Sequence, residues 1–471
     1  MKFKTEKELL KYTSKIDGKT FDEIDSKNLL KNTNPKRQKG ILGQVVETGF
    51  YNYDLNNKSN ADFENLGIEL KVTGYKQNKN GSISAKERLV LSKIDFNKII
   101  NETYESSHLL EKCKKMLIIW YLYEPKKEAK DYVITHHQLY DMNNDEYIFK
   151  SDFELIKEKV LNGKAHELSE GDTSYLGACT KAATSKDRTS QPFSDIPSKP
   201  RAYSLKNSYM TGILRNSIKP KITLDIKESK VNLNYDFKID DSHCDLEKIP
   251  RFKTIEEYIT SKIKPYLGKT QLEILKELTG KTYTEKIPKH INKMISDILI
   301  GKDNELCEKD ELFTKTNYII KNLPVNGEKA LERMSFKTLE LNDFNDDWED
   351  SYWKNYFEEV TLITICYEGN SRSKNGYRTL KEVKKITFND DDLDSFEKTY
   401  ALVKKTIDNQ NTELLPKPKS FDNQKLVVAP KGVKGDDAYN NFLKQNKTKV
   451  AFMLTKELLN EKLKKTIIKI N

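Results

Sequence analysis

The most informative segment of this chain runs Asp62-Phe63-Glu64-Asn65-Leu66-Gly67-Ile68-Glu69-Leu70-Lys71-Val72. From Ile68 onward apolar and charged residues alternate, which predicts a β-strand with Glu69 and Lys71 on one face. Asp62 precedes this strand on a turn, so two carboxylates and one ammonium should meet there. Mg²⁺ usually takes one or two protein carboxylates together with water and substrate phosphate. We therefore predict that Asp62 and Glu69 bind Mg²⁺, and that Lys71 holds or helps to deprotonate an attacking water.

The residues on either side of this segment predict further elements of the same domain. Apolar residues at helical spacing indicate a helix over 41–50, and Glu47 on its inner side could reach the same centre. Other predicted elements are helices at 5–12, 20–30, 152–161 and 209–217, and strands at 67–73, 88–94, 115–123 and near Tyr175. Strands grouped centrally among helices predict an α/β or α+β domain with a mixed sheet.

A Glu-x-Lys pair is by itself a weak signal. It occurs by chance in any highly charged protein, where it forms a salt bridge on a solvent-exposed face. The interpretation as an active site depends on Asp62, on the strand alternation, on the helix with Glu47 and on Lys112 before the next strand.

The chain repeats itself at a nearly constant spacing of 244 to 250 residues. Gly18-Lys19-Thr20 recurs as Gly268-Lys269-Thr270, Glu87-Arg88-Leu89 as Glu332-Arg333-Met334, and MLIIWYLYE (116–124) as VTLITICYE (360–368). A collinear series at one spacing predicts two copies of one domain. We place them at 1–215 and 252–471, joined by a linker at 216–251.

Composition favours a nucleic-acid partner but does not require one. The 471 residues carry 82 Lys and Arg against 72 Asp and Glu, a net charge of +10, and excess positive charge favours polyanions. Five widely spaced cysteines form no CxxC pair, which argues against a disulfide framework or a zinc site. With no apolar signal segment or bilayer-spanning run, we expect a prokaryotic cytoplasmic protein without a membrane partner.

Several blocks of the first half resemble the MutH-type endonucleases, a branch of the PD-(D/E)xK nucleases. They are KGILGQVVE (39–47), DFENLGIELKV (62–72), SHLLEKCKKMLII (107–119), YLGACTKAA (175–183) and RAYSLK (201–206). The length, the doubling and the tracts GKAHELSEG and SAKERLVL are more similar to the Sau-type restriction endonucleases, which cut GATC.

This resemblance implies two tandem restriction-endonuclease-fold domains and Mg²⁺-dependent cleavage of duplex DNA at 5′-GATC that leaves 5′-phosphate ends. It implies that Asp62 and Glu69 are metal ligands, that Lys71 is the catalytic lysine and that Glu47 and Lys112 are supporting catalytic residues. Where the repair enzymes carry Arg-Pro before the recognition lysine, this chain has Cys179-Thr180. They place a tyrosine where Ser204 falls, so methylation sensing of the repair kind is not implied.

The segment 180–206 is a candidate DNA-recognition loop, because it mixes cations with polar side chains. Cations can contact phosphates, and Lys, Gln or Ser can read base edges in the major groove. A solvated polar loop is the alternative. The predicted DNA-binding residues are Lys181, Lys186, Arg188, Arg201, Tyr203, Ser204 and Lys206.

The second copy lacks the acidic residues of the first. Aligning Lys321 with Lys71 places Leu312 opposite Asp62 and Ile319 opposite Glu69, and apolar side chains cannot bind Mg²⁺. Lys431 persists opposite Lys181, which predicts a catalytically inactive module that binds a second DNA site as an allosteric effector. A scaffold that only covers the first domain is the alternative.

One active site per chain cuts one strand at a time, so cleavage of both strands of a palindrome needs two chains or two sequential nicks. We expect a DNA-dependent homodimer. A restriction enzyme also predicts pairing with a cognate DNA methyltransferase. The competing functions are a MutH-like repair enzyme that nicks DNA and a non-enzymatic DNA-binding regulator. The second would leave Asp62, Glu69 and Lys71 without a purpose.

Overall fold

The computed structural model describes residues 3–31, 40–53, 60–78, 81–182, 184, 186–228, 255–283, 287–301, 316–432 and 435–465. They fall into two compact units, Met1–Ser242 and His243–Asn471. A helix continues from Asn207 to Glu228, through the first part of the predicted linker, while 229–251 lies outside the described residues. The predicted boundaries at 215 and 252 therefore remain predictions.

Unit 1 contains strands grouped between helices, as the sequence predicts. The helices are α1 (Glu6–Thr13), α2 (Phe21–Ile24), α3 (Ile41–Gln44), α4 (Phe96–Ile99), α5 (His108–Cys113), α6 (Glu146–Leu161) and α7 (Asn207–Glu228). The strands are β1 (Ile68–Gln77), β2 (Ile83–Ala85), β3 (Leu89–Lys93), β4 (Lys115–Leu122), β5 (Val133–Asp141), β6 (Leu176–Thr180), β7 (Thr189–Gln191), β8 (Ser194–Ser198) and β9 (Arg201–Leu205).

A four-stranded mixed sheet in the order β2-β1-β4-β5 forms the centre of unit 1. Strands β1 and β4 are parallel, with Ile68 opposite Lys115, and the two outer pairs are antiparallel. Every residue of β4 after Lys115 is buried, because alternate side chains enter apolar clusters on the two faces of the sheet. Burial on both faces explains why MLIIWYL is continuously apolar.

A second sheet, β3-β9-β6, is antiparallel throughout. Strand β6 ends at Thr180 and β9 begins at Arg201, so this sheet frames the segment that the sequence identifies as the recognition loop. Within that segment β7 and β8 pair as a hairpin. Part of the expected polar loop is thus regular β-structure.

Unit 2 has a similar series of elements. Its helices are α8 (Ile255–Ile263), α9 (Gln271–Thr279), α10 (Ile291–Leu299), α11 (Tyr352–Glu359), α12 (Asp390–Asp408), α13 (Gly435–Asn440) and α14 (Lys456–Lys465). Its strands are β10 (Tyr318–Asn326), β11 (Lys329–Ala330), β12 (Met334–Glu340), β13 (Thr361–Glu368), β14 (Thr379–Ile386), β15 (Leu426–Pro430) and β16 (Lys447–Leu454).

The sheets of the two units have the same topology. Unit 2 has a mixed sheet β11-β10-β13-β14 and an antiparallel sheet β12-β16-β15, and β10 and β13 are parallel like β1 and β4. The start of α2 and the start of α9 carry the same capping box, formed by Thr20 with Glu23 and by Thr270 with Glu273. The α/β fold class with two tandem units is confirmed.

The units differ where the recognition segment lies. Between β15 and β16, unit 2 has helix α13 and a short 3-10 turn in place of the β7–β8 hairpin. In the described part of the chain, no helix combines the length and apolar character needed to cross a bilayer.

Candidate active site

A tight turn folds Asp62 back onto β1. The backbone N–H of Phe63 donates to the carbonyl of Ile68 over 2.9 Å, and Gly67 closes the turn at φ +62, a conformation that favours glycine. The carboxylate of Asp62 then accepts a hydrogen bond from the Leu70 N–H, with Oδ2 at 2.9 Å. The backbone itself therefore places Asp62 beside Glu69.

The side chains of Glu69 and Lys71 project from the same face of β1, as predicted, while Ile68 and Leu70 enter the apolar core. The Lys71 ammonium lies 2.9 Å from Glu69 Oε1. Glu69 is 4% exposed, and its other oxygen, Oε2, is buried without a hydrogen-bond partner in the described structure.

Lys112 joins this group through the parallel pairing of β1 and β4. It occupies the last turn of α5, just before β4, whose first residue pairs with Ile68. Its ammonium lies 3.6 Å from Glu69 Oε1. Two lysines therefore share one carboxylate oxygen and leave the other free.

Glu47 completes a group of three carboxylates. The helix 41–50 is α-helical only to Gln44, and Val45–Phe50, which includes Glu47, forms a π-helical turn; such turns are frequent at functional sites. Burial, together with the charges of Asp62 and Glu69, raises the pKa of Glu47 to about 7. Burial and the Glu69 charge likewise raise the pKa of Asp62 to about 6.

Lys71 remains an ammonium in these surroundings. Burial alone would lower its pKa, but Cys113, Glu69 and Asp62 together raise it. Cys113 is a buried free cysteine whose own thiol pKa burial raises to about 12. Sequence reasoning did not single out Cys113, because one isolated cysteine between lysines carries no pattern.

The residues present fit a divalent cation with two protein ligands. Among the described residues, no group of three or more His, Cys, Asp and Glu side chains is arranged as a metal site. Mg²⁺ however needs only one or two carboxylates, and water and phosphate complete its shell. The unpartnered Oε2 of Glu69 and the raised pKa of Asp62 both indicate negative charge that lacks compensation.

The residues predicted to bind DNA fall into two groups. Lys181, Lys186 and Arg188 are exposed, and the Arg188 side chain donates to the Asp187 carbonyl over 2.9 Å. They are available to a phosphate or a base edge.

The other four predicted residues of unit 1 are buried at 3% exposure or less: Arg201, Tyr203, Ser204 and Lys206. Arg201 donates to the carbonyls of Leu168 and Ala178, Ser204 donates to Glu170 and Lys206 donates to the Thr173 carbonyl. Arg201, Ser204 and Lys206 thus donate hydrogen bonds inside the protein, and the Tyr203 hydroxyl is buried without a hydrogen-bond partner in the described structure. We therefore do not assign DNA contacts to these four residues. The sequence pattern of β9 could not predict the burial of these side chains, because β9 is buried on both faces.

Unit 2 holds no acid-x-Lys pair at the equivalent place on β10. The register of β10 with β13 sets Ile319 where β1 has Glu69, and Leu312 lies outside the described residues. The Lys321 ammonium donates to the Ser335 carbonyl at 2.9 Å, and the Lys431 ammonium donates to the neighbouring carbonyl of Phe336. Unit 2 therefore keeps Lys321 and Lys431 but has Ile319 at the position that Glu69 occupies in unit 1.

Comparison with known proteins assigns the chain to a family. A family model described as DNA mismatch repair enzyme MutH matches residues 51–152. The type II restriction enzyme Sau3AI of Staphylococcus aureus is 32% identical over 375 residues, which cover 76% of this chain and 72% of that protein. The chain belongs to the family of MutH-related restriction endonucleases. The resemblance inferred from the motifs is confirmed, and the chain is a DNA-cleaving hydrolase by its family.

The mismatch repair relatives correspond to a smaller part of this endonuclease. The MutH protein of Vibrio vulnificus strain YJ016 is 28% identical over 225 residues, 45% of this chain and 94% of that protein. That of Shewanella woodyi is 28% identical over 226 residues, again 45% of this chain. Nearly a whole MutH protein thus aligns with less than half of the chain.

Proposed function

We propose that this chain is a type II restriction endonuclease that cuts both strands of duplex DNA at 5′-GATC and leaves 5′-phosphate ends. We further propose Mg²⁺ as its cofactor, with Asp62 and Glu69 as ligands, and the prokaryotic cytoplasm as the place where it meets DNA. The specificity rests on the likeness to the Sau-type enzymes.

One observation carries the proposal. Lys71 and Lys112 both approach Glu69 Oε1, while Glu69 Oε2 is buried without a partner. Leaving a buried carboxylate oxygen unpartnered is unfavourable, so a site that only stabilised the fold would be expected to satisfy it. A divalent cation between Glu69 and Asp62 would do so.

The residues can be assigned roles from their positions. When bound, Mg²⁺ would lower the pKa of a water molecule and neutralise charge on the phosphate. Since its pKa is raised, Lys71 is better suited to hold the attacking water and the phosphate oxygens than to remove a proton. Lys112 keeps Glu69 oriented, and Glu47 accepts a proton near neutral pH because its pKa lies at about 7.

DNA recognition is assigned to the exposed part of segment 180–206. Lys181 follows β6 directly, and its backbone N–H donates to the Pro200 carbonyl over 2.7 Å, which fixes the base of the segment. Lys186 and Arg188 follow in its first half. These three cations can set the position of the duplex through its phosphates and read base edges.

We assign unit 2 to binding of a second GATC site, as an allosteric effector. The absence of an acidic pair on β10 removes catalysis, and Lys321 and Lys431 keep positive charge. With a single active site per chain, we propose that a DNA-dependent homodimer cuts both strands and that a cognate DNA methyltransferase protects the host genome.

A MutH-like nicking activity is the second candidate, favoured by the match of residues 51–152 to the MutH model. It leaves unit 2 without a counterpart, since the MutH relatives align with 45% of the chain. The alignment with the restriction enzyme extends over 76% and favours the first proposal.

The test is cleavage of plasmid DNA by the purified full chain. The proteins are incubated with unmethylated or methylated GATC plasmid in Mg²⁺ or in EDTA, and the ends are sequenced. We expect linear products with 5′-phosphate ends at GATC in Mg²⁺ and intact plasmid in EDTA. Nicked circles alone would favour the repair activity, and cleavage away from GATC would contradict the proposed specificity.

A further inference from the structure

The β7–β8 hairpin is anchored to unit 1 at both of its ends, by Gln191 beside the turn and by Ser198 at the base. Gln191 is 7% exposed; its amide oxygen accepts from the Ala165 N–H at 2.7 Å, and its amide nitrogen donates to the Ile196 carbonyl at 2.5 Å. The Ser198 hydroxyl donates to the Ala165 carbonyl at 2.9 Å. One buried amide thus binds both strands of the hairpin to the body of the domain.

The turn of the hairpin also rests on the domain. A Cβ atom on Gly163 would lie 2.4 Å from the carbonyl oxygen of Phe193, so only glycine permits this approach. The hairpin is therefore held on both sides and presents its tip in a defined position.

The hairpin exposes two large apolar side chains, Phe193 at its turn and Ile196 within β8. Phe193 is 68% exposed and Ile196 is 54% exposed, and both belong to a hairpin whose inner residues are buried. Single apolar residues are common on protein surfaces. Two large ones on the same anchored hairpin indicate a surface that contacts a ligand or partner.

Phe193 also has a strained backbone. Its φ is +63, a conformation that a bulky residue adopts at a cost and that glycine adopts freely. Residues in such conformations cluster at functional sites. The sequence therefore keeps phenylalanine where glycine would give a more relaxed turn.

The residues that flank the hairpin in sequence carry mostly positive charge. Lys186 and Arg188 precede the hairpin and Lys199 follows it, while Asp195 is the exposed acidic residue between the two apolar side chains. Asp187 is engaged by the Thr184 backbone and hydroxyl. An apolar hairpin flanked in sequence by cations matches the major groove of duplex DNA, where phosphates border base edges that include the apolar thymine methyl.

A comparison with unit 2 supports a link between the hairpin and cleavage. Unit 2, which lacks the acidic pair of the active site, has helix α13 between its corresponding strands. The hairpin occurs in the unit that carries the Asp62, Glu69 and Lys71 group.

We propose that the exposed side of the β7–β8 hairpin lies in the major groove and that Phe193 and Ile196 contact thymine methyl groups there. The major groove admits a two-stranded β-ribbon and exposes the thymine methyl, which phenylalanine can contact. This inference deepens the proposed function and rests on it, because GATC places one thymine on each strand.

The test measures binding of the full chain to a labelled GATC duplex and to the same duplex with uracil for thymine, with Ca²⁺ replacing Mg²⁺. Phe193→Gly and Ile196→Ala are compared with Tyr147→Ala, which removes a side chain that is 59% exposed on α6. We expect each hairpin variant to bind the thymine duplex about tenfold more weakly, and the control to bind normally. Removing the methyls should weaken wild-type binding about fourfold and should affect Phe193→Gly less.

Two further readouts separate this contact from other roles. Phe193→Gly should melt no lower than wild type, because glycine suits a φ of +63. The dependence of its affinity on salt should match wild type, whereas Lys186→Ala should lower the salt slope by about one. Equal affinity of wild type and Phe193→Gly for the thymine duplex, or a change in self-association alone, would overturn the inference. Absence of a preference for GATC over a scrambled duplex would instead overturn the proposed specificity.

Discussion

Three acidic residues of the active site lie close together despite the repulsion between their negative charges. Glu47, Asp62 and Glu69 share a partly buried space with Lys71 and Lys112, and repulsion adds to burial in raising the pKa of Asp62 and of Glu47. Glu47 therefore titrates near neutral pH, with a pKa of about 7, and Asp62 titrates at a pKa of about 6. A cation that binds there competes with protons, because metal ligands must be deprotonated.

Replacing Lys71 with methionine should reduce cleavage strongly. The Lys71 ammonium lies 2.9 Å from Glu69, in position to stabilise charge on the phosphate, and loss of such a group costs about 100-fold or more in rate. Lys112 lies farther, at 3.6 Å, so Lys112→Met should reduce the rate less. Single-turnover cleavage of a GATC duplex measures both, and an unchanged rate in Lys71→Met would contradict the role assigned to this residue.

At the scale of elements, the alternation of apolar and charged residues correctly predicted the strand that carries Glu69 and Lys71. The predicted strand at 67–73 is β1, which continues to Gln77, and the predicted strands at 88–94 and 115–123 are β3 and β4. Strand β5 (VITHHQLYD) was not predicted, because His136, His137 and Gln138 interrupt its apolar pattern. They are accommodated by tertiary contacts, such as that between His136 and Ser217 at 3.0 Å, which no local pattern shows.

Two other features depended on side-chain hydrogen bonds that apolar periodicity does not predict. The predicted helix at 20–30 ends at Ile24, since Asp25 turns the chain by accepting the N–H groups of Leu29 and Leu30. The burial of Arg201, Ser204 and Lys206 was also hidden, because their partners lie 21 to 34 residues earlier. The pattern of apolar and polar residues predicts which side chains are exposed only in elements that have one solvent-exposed face.

Glu256 gives unit 2 a pH-dependent contribution to stability. It joins α8 to β10 and β14, accepting from the Tyr318 hydroxyl at 2.8 Å and from Lys385 at 2.9 Å. Burial would raise its pKa, but Lys385 and these hydrogen bonds lower it overall. The stabilisation is therefore present above the pKa of an unfolded glutamate, about 4.3, and is lost as the pH falls through the lower pKa of folded Glu256.

Glu256→Gln should accordingly destabilise unit 2 by about 1–2 kcal/mol at pH 7 and by less as the pH falls below about 4. Calorimetric melting of both proteins across this range measures the difference, and Glu257→Gln, on the same helix, serves as the control. A difference in Tm that stays constant down to pH 3 would contradict the assigned ion pair.

At the scale of the whole molecule, one architecture occurs twice with different chemistry. The duplication was readable from the sequence, because repeated motifs such as Gly18-Lys19-Thr20 mark repeated turns: Gly18 and Gly268 have φ values of +84 and +80. The sequence placed Ile319 opposite Glu69, and the β10 register agrees, because Ile319 lies opposite Leu362 as Glu69 lies opposite Met116.

An effector role for unit 2 predicts cooperation between DNA sites. A plasmid with two GATC sites should be cut at least about fivefold faster per site than a plasmid with one, which corresponds to a coupling of about 1 kcal/mol. Adding a short GATC duplex in trans should restore the rate on the one-site plasmid. Equal rates on the two plasmids would remove the effector role and leave the catalytic role of unit 1 untouched.

The central claim is that Asp62 and Glu69 bind the cation that cleavage requires. The most direct measurement compares cleavage of a GATC duplex by wild type and by Asp62→Ala in Mg²⁺ under single-turnover conditions, with DNA affinity measured in parallel. We expect Asp62→Ala to lose at least about a thousandfold in rate while it still binds the duplex. Cleavage by Asp62→Ala at the wild-type rate would contradict the account.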